Sequence, residues 1–222
     1  MAPIEDRIIA GIDEAGRGPL AGPVVAAAVI LDPEQPIEGI DDSKKLTSKQ
    51  REISDVWIRE NAETYGIGEV SATTINRIGM GKATKMAFRR AVADGNRRAK
   101  KRIEYLLIDA FYIPYIRGIR IRNKAARKNH KLHDGNARQR AIVNGDEKVM
   151  SIAAASIVAK VYRDSLMQKI GRRARYKKYD WVNNKGYAAI KHQKAILKYG
   201  ITGYHRKQFV GTFLNNKGIK TQ

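Results

Sequence analysis

Four acidic side chains follow short apolar runs in this sequence, and together they could hold divalent metal ions. Asp13 and Glu14 come directly after the first such run, Asp109 ends another, and Asp146 lies in the loop after a third. Neighbouring strands are about 4.8 Å apart, so carboxylates at several strand ends could converge. Such a cluster needs cations, because carboxylates this close repel one another. Two Mg²⁺ or Mn²⁺ ions about 4 Å apart are the usual apparatus for in-line attack on a phosphodiester.

Each acid also has an ordinary explanation when it is taken alone. Asp13 and Glu14 suit a turn, Asp109 a strand end, and Asp146 a turn or a cap for the following helix. Asp164 is a rival for the fourth position, but Lys160 precedes it by four residues on a predicted helix. That spacing favours a surface ion pair. The acids alone therefore leave the metal site and the ordinary explanations open.

The positive charge of the chain is concentrated in two segments. Lys and Arg number 43 against 22 Asp and Glu, which gives a net charge of +21. The excess lies in residues 97–140, at +11, and residues 172–222, at +12, whereas residues 1–96 carry −3 and residues 141–171 carry +1. Lys and Arg gain affinity for nucleic acid by displacing counterions from phosphates. We therefore expect a polyanion-binding surface on a nearly neutral folded body.

Composition excludes several classes of protein. The length of 222 residues suits one domain, and 43% of the residues are hydrophobic, which is enough for a core. The chain has no cysteine, which excludes disulfides, thiol nucleophiles and thiolate metal sites. A histidine metal site is also disfavoured, since His130 and His133 lack suitably spaced partners. No apolar run approaches the roughly 18 residues of a membrane span, and the N-terminus has no signal pattern, so we expect a cytoplasmic monomer.

Short runs rich in β-branched residues predict five strands that would position the acids. The predicted strands are Arg7–Asp13, Pro23–Leu31, Tyr65–Ala72, Glu104–Asp109 and Arg140–Gly145. The predicted helices are Thr47–Asn61, Thr73–Ala93, Ser151–Ile170, Gly186–Tyr199 and Arg206–Asn215. Between them, the basic stretch Pro114–Arg140 has little apolar periodicity and is expected to be a long loop or a loose helical insertion.

This order of elements predicts an α/β fold with a central sheet covered by helices on both faces. Residues 1–170 are expected to form one domain. Residues 171–222 are expected to form a basic, helical C-terminal extension packed on it.

Seven motifs in matching order resemble those of type 2 ribonuclease H, also called ribonuclease HII. They are GIDEAGRGPLAGPVVAAAVIL from Gly11, DDSKKLT from Asp41, INRIGMGKATKMAFRRAV from Ile75, LLIDA from Leu106, NGDEKVMSIAAASIVAKVYRD from Asn144, NKGYAAIKHQKAILKYG from Asn184 and HRKQF from His205. The resemblance implies an RNase H-like central mixed sheet flanked by helices, with a C-terminal helical extension. It also implies an endoribonuclease that hydrolyses the RNA strand of RNA/DNA hybrids. Such an enzyme would also cut 5′ of single ribonucleotides embedded in duplex DNA, leaving a 3′-hydroxyl and a 5′-phosphate.

The resemblance further implies roles for individual residues. The catalytic and metal-binding acids would be Asp13, Glu14, Asp109 and Asp146, with two Mn²⁺ or Mg²⁺ ions as cofactors. The turn formed by Gly16, Arg17 and Gly18 would approach the backbone around the scissile phosphate and read the 2′-hydroxyl. Tyr187 would pack on the ribonucleotide sugar, and Ser43 and Lys44 would contact phosphates.

The chain departs from the usual pattern of the family at three places. Asn144 precedes Gly145 and Asp146 where a Lys is common, and Gly79 stands where the family often has an Asn that contacts DNA. The basic stretch 114–140 is longer than usual, and extra affinity for the duplex is our hypothesis for it. The alternatives that the residues leave open are a non-catalytic basic nucleic-acid-binding protein and another RNase H-fold nuclease.

Overall fold

A computed structural model describes residues 8–32, 46–110 and 139–216, and these residues contain a five-stranded mixed sheet. The strands are β1 Ile9–Ala15, β2 Val24–Ile30, β3 Thr64–Val70, β4 Tyr105–Asp109 and β5 Gln139–Ile142. Their order in the sheet is β3-β2-β1-β4-β5. β2 pairs antiparallel with β1 and β3, whereas β4 pairs parallel with β1 and β5. The carboxyl ends of β1, β4 and β5 therefore meet at one edge.

Helices cover both faces of this sheet, as predicted. They are α1 Ser48–Asn61, α2 Ala72–Ile78, α3 Met80–Arg98, α4 Gly145–Lys148, α5 Met150–Gly171, α6 Trp181–Asn184, α7 Ile190–Tyr199 and α8 Lys207–Asn216, with a 3-10 helix at Ala174–Tyr179. One face packs on α3 around Phe88, and the other packs on α1 and α5 around Ile58 and Val158. In the part of the chain that the structure describes, no helix is both long and apolar enough to cross a membrane.

Glycine in the strands lets the helices lie directly on the sheet. A Cβ at Gly11 of β1 would lie 2.1 Å from the carbonyl carbon of Ser151, and one at Gly68 of β3 would lie 2.0 Å from the carbonyl oxygen of Ala87. Real Cβ atoms do not approach backbone atoms this closely. α5 is therefore held against β1, the strand that carries Asp13 and Glu14.

Several helix starts differ from the prediction, two of them because of glycine. The segment predicted as one helix, Thr73–Ala93, is two helices, because Gly79 adopts φ 79° and ψ 158°, which only glycine adopts readily. The first of them is capped by Ser71, whose hydroxyl accepts a hydrogen bond from the Thr74 amide. α7 begins at Ile190, four residues after the predicted start, since Gly186 has φ 86° and lies in a turn.

The C-terminal helices share a third apolar cluster with the end of α5 and with the loop after β1. Trp181 is fully buried there, and Leu20, Ala21 and Met167 belong to the same cluster. The loop after β1 is thus covered by residues that follow position 170. Ser43, Lys44, His130, His133 and residues 114–138 of the basic stretch lie outside the described residues.

Candidate active site

Asp13 is a buried carboxylate in the middle of the sheet. Its residue pairs with Ala27 of β2, and its side chain is held by the backbone amide of Glu14, at 2.7 Å from Oδ1, and by the Ser156 hydroxyl of α5. Burial, followed by the charge of Glu14, raises the pKa of Asp13 from 3.8 to about 7. Without a cation, this side chain therefore ionises only with difficulty.

Glu14, the next residue, is a second acid whose side chain is only 10% exposed. Burial raises its pKa from 4.5 to about 7, even though the guanidinium of Arg17 opposes that shift. Arg17 Nη1 lies 3.3 Å from Glu14 Oε1. In the described part of the chain, Oε2 of Glu14 is buried without a hydrogen-bond partner. A buried carboxylate oxygen without a donor is unusual and fits a site for a cation.

Asp109 and Asp146 lie beside this pair at the same edge. Ile12 of β1 is in register with Ile108 of β4, so the next residues, Asp13 and Asp109, are neighbours, and the charge of Asp109 acts on both Asp13 and Glu14. Oδ1 of Asp109 accepts a hydrogen bond of 2.7 Å from the amide of Gly145. That bond places Asp146, the next residue and 5% exposed, against the end of β4.

Asp13, Glu14 and Asp109 interact with one another, and Asp146 follows Gly145, whose amide binds Asp109. Among the described residues, no group of three or more His, Cys, Asp or Glu side chains has the spacing of a metal site. Carboxylates of like charge repel each other at short range. The sheet therefore brings Asp13, Glu14 and Asp109 close enough to interact electrostatically, without the spacing of a metal-binding group.

The Gly16–Gly18 turn and Tyr187 border the acids. Glu14, Gly16 and Tyr187 line one depression of about 240 Å³. Arg17 and Gly18 are exposed, and Tyr187 is 44% exposed. An exposed aromatic ring beside Glu14 and the exposed Arg17 and Gly18 can contact a sugar and a phosphate together.

A histidine pair that sequence reasoning does not single out holds Tyr187. Nδ1 of His192 lies 2.7 Å from the Tyr187 carbonyl and donates to it, so Nε2 of His192 accepts from Trp181 Nε1 at 3.0 Å. His205 Nε2 lies 3.2 Å from the same atom of His192. Burial lowers the pKa of both rings, that of His205 to about 3, which keeps them neutral. The pair therefore holds the Tyr187 backbone without changing charge near neutral pH.

Two cationic side chains and one hydroxyl also line this depression, and the sequence does not identify them as site residues. Arg51, Ser156 and Lys160 line it with Glu14. In the sequence, Ser156 stands out only as a small residue on a buried helix face. Lys160 makes the ion pair with Asp164 that its spacing predicts, at 2.9 Å, and its ammonium also lies 5.7 Å from the Tyr187 ring centroid.

Comparison with known proteins identifies the family. A model of the ribonuclease HII family matches residues 10–212. The chain is 45% identical over 206 residues to ribonuclease HII of Clostridioides difficile, which covers 93% of this chain and 71% of that protein. It is 42% identical to ribonuclease HII of Wolbachia pipientis from Culex pipiens, over 91% of this chain and 90% of that one.

A solved structure agrees with the sequence comparisons. Ribonuclease H2 of Pyrococcus horikoshii matches with a TM-score of 0.65 and 26% identity, over 90% of this chain and 92% of that one. The match confirms the RNase H-like fold that the motifs implied. Because the family model spans most of the chain, the alternatives of a non-catalytic binder and of another RNase H-fold nuclease are set aside. This chain belongs to the ribonuclease HII family and is a type 2 ribonuclease H, an endoribonuclease.

Proposed function

We propose that this endoribonuclease hydrolyses the RNA strand of RNA/DNA hybrids and also cuts 5′ of single ribonucleotides embedded in duplex DNA. The products would carry a 3′-hydroxyl and a 5′-phosphate. The observation that carries the proposal is the juxtaposition of Glu14, next to buried Asp13, with Gly16 and Tyr187 in one depression, beside exposed Arg17 and Gly18. We also propose that the enzyme acts as a monomer.

The chemistry of the four acids suits divalent metal ions. Asp13 and Glu14 are buried with raised pKa values, and Oε2 of Glu14 has no donor among the described residues. Buried carboxylates of this kind are compensated either by protons or by cations. Carboxylate oxygens are the ligands that Mg²⁺ and Mn²⁺ prefer.

We propose that Asp13, Glu14, Asp109 and Asp146 hold two such ions. When bound, divalent ions lower the pKa of a water and stabilise the charge that develops on the phosphate and on the leaving 3′-oxygen. A protein general base is then not required to activate the water. Ser156 and the Glu14 amide fix the rotamer of Asp13, which keeps its carboxylate at the strand end.

The residues around the acids would bind and orient the nucleic acid. Arg17, whose side chain is 49% exposed, is proposed to contact the substrate backbone together with the two glycines beside it. The 2′-hydroxyl is the group that separates RNA from DNA locally, and close approach of the Gly16–Gly18 backbone would read it. Tyr187 is proposed to pack on the ribonucleotide sugar.

Positive charge beside Tyr187 suits the phosphates that flank the cut. Lys160 and Arg51 line the same depression as Glu14. A second depression, which shares both cations and adds Lys185, continues along α5. Phosphate contacts from Ser43 and Lys44 remain predictions from the family resemblance.

The test is a cleavage assay with three labelled duplexes of one sequence. The first contains a single ribonucleotide, the second is an RNA/DNA hybrid, and the third is all DNA. With Mg²⁺ or Mn²⁺ we expect cuts in the first two, on the 5′ side of the lone ribonucleotide, and no cut with chelator. Asp13→Asn is expected to bind all three and to cut none.

A hybrid-specific result would correct the substrate range. If only the RNA/DNA hybrid is cut, the embedded-ribonucleotide part of the proposal is wrong. If Asp13→Asn cuts at the wild-type rate, the assignment of Asp13 is wrong.

A further inference from the structure

The guanidinium of Arg206 is buried under the loop that follows β1. It is 0% exposed and donates five hydrogen bonds of 2.6–2.9 Å to backbone carbonyls of that loop. The accepting residues are Gly16, Arg17, Pro19, Gly22 and Pro23. A single side chain from the C-terminal extension therefore holds the backbone of the whole loop, 183 to 190 residues away in sequence.

A second buried guanidinium supports the same loop. Arg163 of α5 donates from Nε to the Pro23 carbonyl at 3.0 Å and from Nη2 to the carbonyls of Ala21 and Lys185. A Cβ at Gly16, where φ is 91°, would lie 2.0 Å from Nε of Arg163. The turn therefore rests directly on this side chain, whose guanidinium carbon also lies 5.7 Å from the Tyr187 ring centroid.

The backbone that carries Arg206 is itself fixed on both sides. The side-chain amide of Asn76 in α2 donates to the His205 carbonyl at 3.0 Å and accepts from the Lys207 amide at 2.9 Å. The Arg206 amide donates to the Leu20 carbonyl at 2.8 Å. The backbone of Arg206 is thus held in place, as are the carbonyls that its guanidinium binds.

Burying the guanidinium of Arg206 costs folding free energy, so stability alone does not explain it. The groups that accept hydrogen bonds from Arg206 in this loop are carbonyl oxygens rather than a carboxylate, and burial together with the charge of Arg163 lowers its pKa to about 9. A buried cation without a counter-charge is tolerated only where its hydrogen bonds are well satisfied. Such features persist where a local geometry has to be imposed.

The direction of these bonds determines which groups the turn presents. In a trans peptide the carbonyl and the following N–H point in opposite directions, and the described chain has no cis peptide. Because the carbonyls of Gly16 and Arg17 point at Arg206, the N–H groups of Arg17 and Gly18 point away from it. Arg17 and Gly18 are exposed, and the adjacent Gly16 lines the depression together with Tyr187.

We propose that Arg206 is a positioning residue for ribonucleotide recognition, with Arg163 in support. Its forked guanidinium fixes the peptides of the Gly16–Gly18 turn so that their N–H groups face the substrate sugar and phosphate. The inference rests on the proposed role of that turn in reading the ribonucleotide. A lysine keeps the charge but lacks the planar fork, so Arg206→Lys separates geometry from charge.

The experiment measures binding of two labelled duplexes to the full chain in chelator, where cleavage is prevented. One duplex contains a single ribonucleotide and the other is all DNA of the same sequence. The Kd for the all-DNA duplex divided by the Kd for the ribonucleotide-containing duplex reports recognition of the ribonucleotide. For Arg206→Lys we expect that ratio to fall roughly tenfold, the effect of one or two lost hydrogen bonds. The Kd for the all-DNA duplex, which depends on phosphate contacts, is expected to stay within about twofold.

Val210→Ala is the matched control. Val210 is a buried residue of α8 in the same C-terminal cluster, so this variant destabilises the extension while leaving both guanidiniums in place. It is expected to lower Tm and to keep the wild-type ratio. If Arg206→Lys also keeps that ratio, or if Val210→Ala loses it equally, the positioning role is wrong.

A second variant covers the case in which Arg206→Lys does not fold. Arg163→Lys removes the fork under Gly16, and we expect it to lower the ratio in the same direction. An unchanged ratio in that folded variant would overturn the inference. If wild-type protein binds both duplexes equally, the proposed reading of the ribonucleotide itself fails, and the positioning role fails with it.

Discussion

At the scale of single residues, the candidate site centres on a pair of adjacent acids that the fold largely keeps out of water. Burial is the main reason that Asp13 and Glu14 have pKa values of about 7. The protein therefore places two carboxylates where their charge is disfavoured. A bound cation would relieve that cost, which couples metal affinity to the stability of the site.

This coupling predicts how stability depends on pH in the absence of metal. Between about pH 4 and about pH 7 the folded chain keeps protons on Asp13 and Glu14 that the unfolded chain has released. The contribution of these groups to the free energy of unfolding therefore falls as pH rises through that window. Asp13→Asn removes one of the two titrations, and its amide oxygen can still accept the hydrogen bond from the Glu14 amide.

Calorimetry in chelator checks this prediction. The Tm of Asp13→Asn is expected to match that of wild type near pH 4 and to exceed it by roughly 5 °C above pH 7. Saturating Mn²⁺ should reverse the order by stabilising wild type selectively. A difference in Tm that does not change with pH would show that Asp13 titrates normally.

The sequence indicates the acids but not the groups that hold the site in place. Asp13, Glu14, Asp109 and Asp146 stand out because they follow apolar runs and lie in recognisable motifs. Arg206 makes its contacts with a loop about 190 residues away, and no local pattern reveals those bonds. Arg163 leaves a usable signal: it lies four residues from both Ala159 and Met167, on the buried stripe of α5, where a charge is unexpected.

At the scale of elements, the packing of α5 on β1 positions the acids. Gly11 lies two residues before Asp13, and the start of α5 passes directly over it. The small residues Ala153–Ala155 continue that contact, and Ser156 follows them at hydrogen-bond distance from Asp13. The distance between strand and helix therefore sets the surroundings of Asp13, the first of the four proposed catalytic acids.

Gly11→Ala tests this packing. The new methyl would overlap the backbone of Ser151, so we expect a loss of about 3 kcal/mol in the free energy of unfolding, measured in urea. Gly81→Ala is the control, since Gly81 lies in α3 and a Cβ added there would have no contact within 4 Å beyond its own turn of helix. That change should stabilise by about 0.5 kcal/mol. Equal effects of the two substitutions would mean that β1 and α5 are not in tight contact.

Strands are predicted more accurately than helix boundaries. The predicted strands overlap all five observed ones, because runs of β-branched residues bounded by glycine or acidic residues are typical of buried strands. Helix starts are less accurate where backbone conformation decides. Gly79 divides a continuous helical pattern, and Asn144, at φ 53°, ends the β5 segment early so that α4 begins at Gly145.

At the scale of the whole molecule, the predicted C-terminal extension contributes both to the candidate site and to the positive charge of the chain. It supplies Tyr187 and Arg206 to the site, and it carries much of the positive charge of the chain. Five lysines surround a shallow depression of about 380 Å³ near α7: Lys177, Lys178, Lys191, Lys194 and Lys198. The division into a domain at residues 1–170 and an extension at 171–222 stays a prediction, although both share the cluster around Trp181.

The lysines near α7 are expected to add affinity without selectivity. Replacing Lys194 and Lys198 with Gln should reduce the slope of log Kd against log salt concentration by about one to two. The ratio of Kd values for the all-DNA and ribonucleotide-containing duplexes should not change. Titrations over a range of salt concentrations give both quantities, and an unchanged slope would exclude these lysines from the nucleic-acid interface.

The most direct test of the proposed metal centre is whether the four acids hold metal together. Anomalous diffraction from a crystal of the wild-type protein soaked in Mn²⁺ locates the ions without any assumption about activity. We expect two manganese peaks at the carboxyl ends of β1, β4 and β5, coordinated by Asp13, Glu14, Asp109 and Asp146. Manganese bound elsewhere, or bound without Asp13 and Asp109, would contradict the proposal.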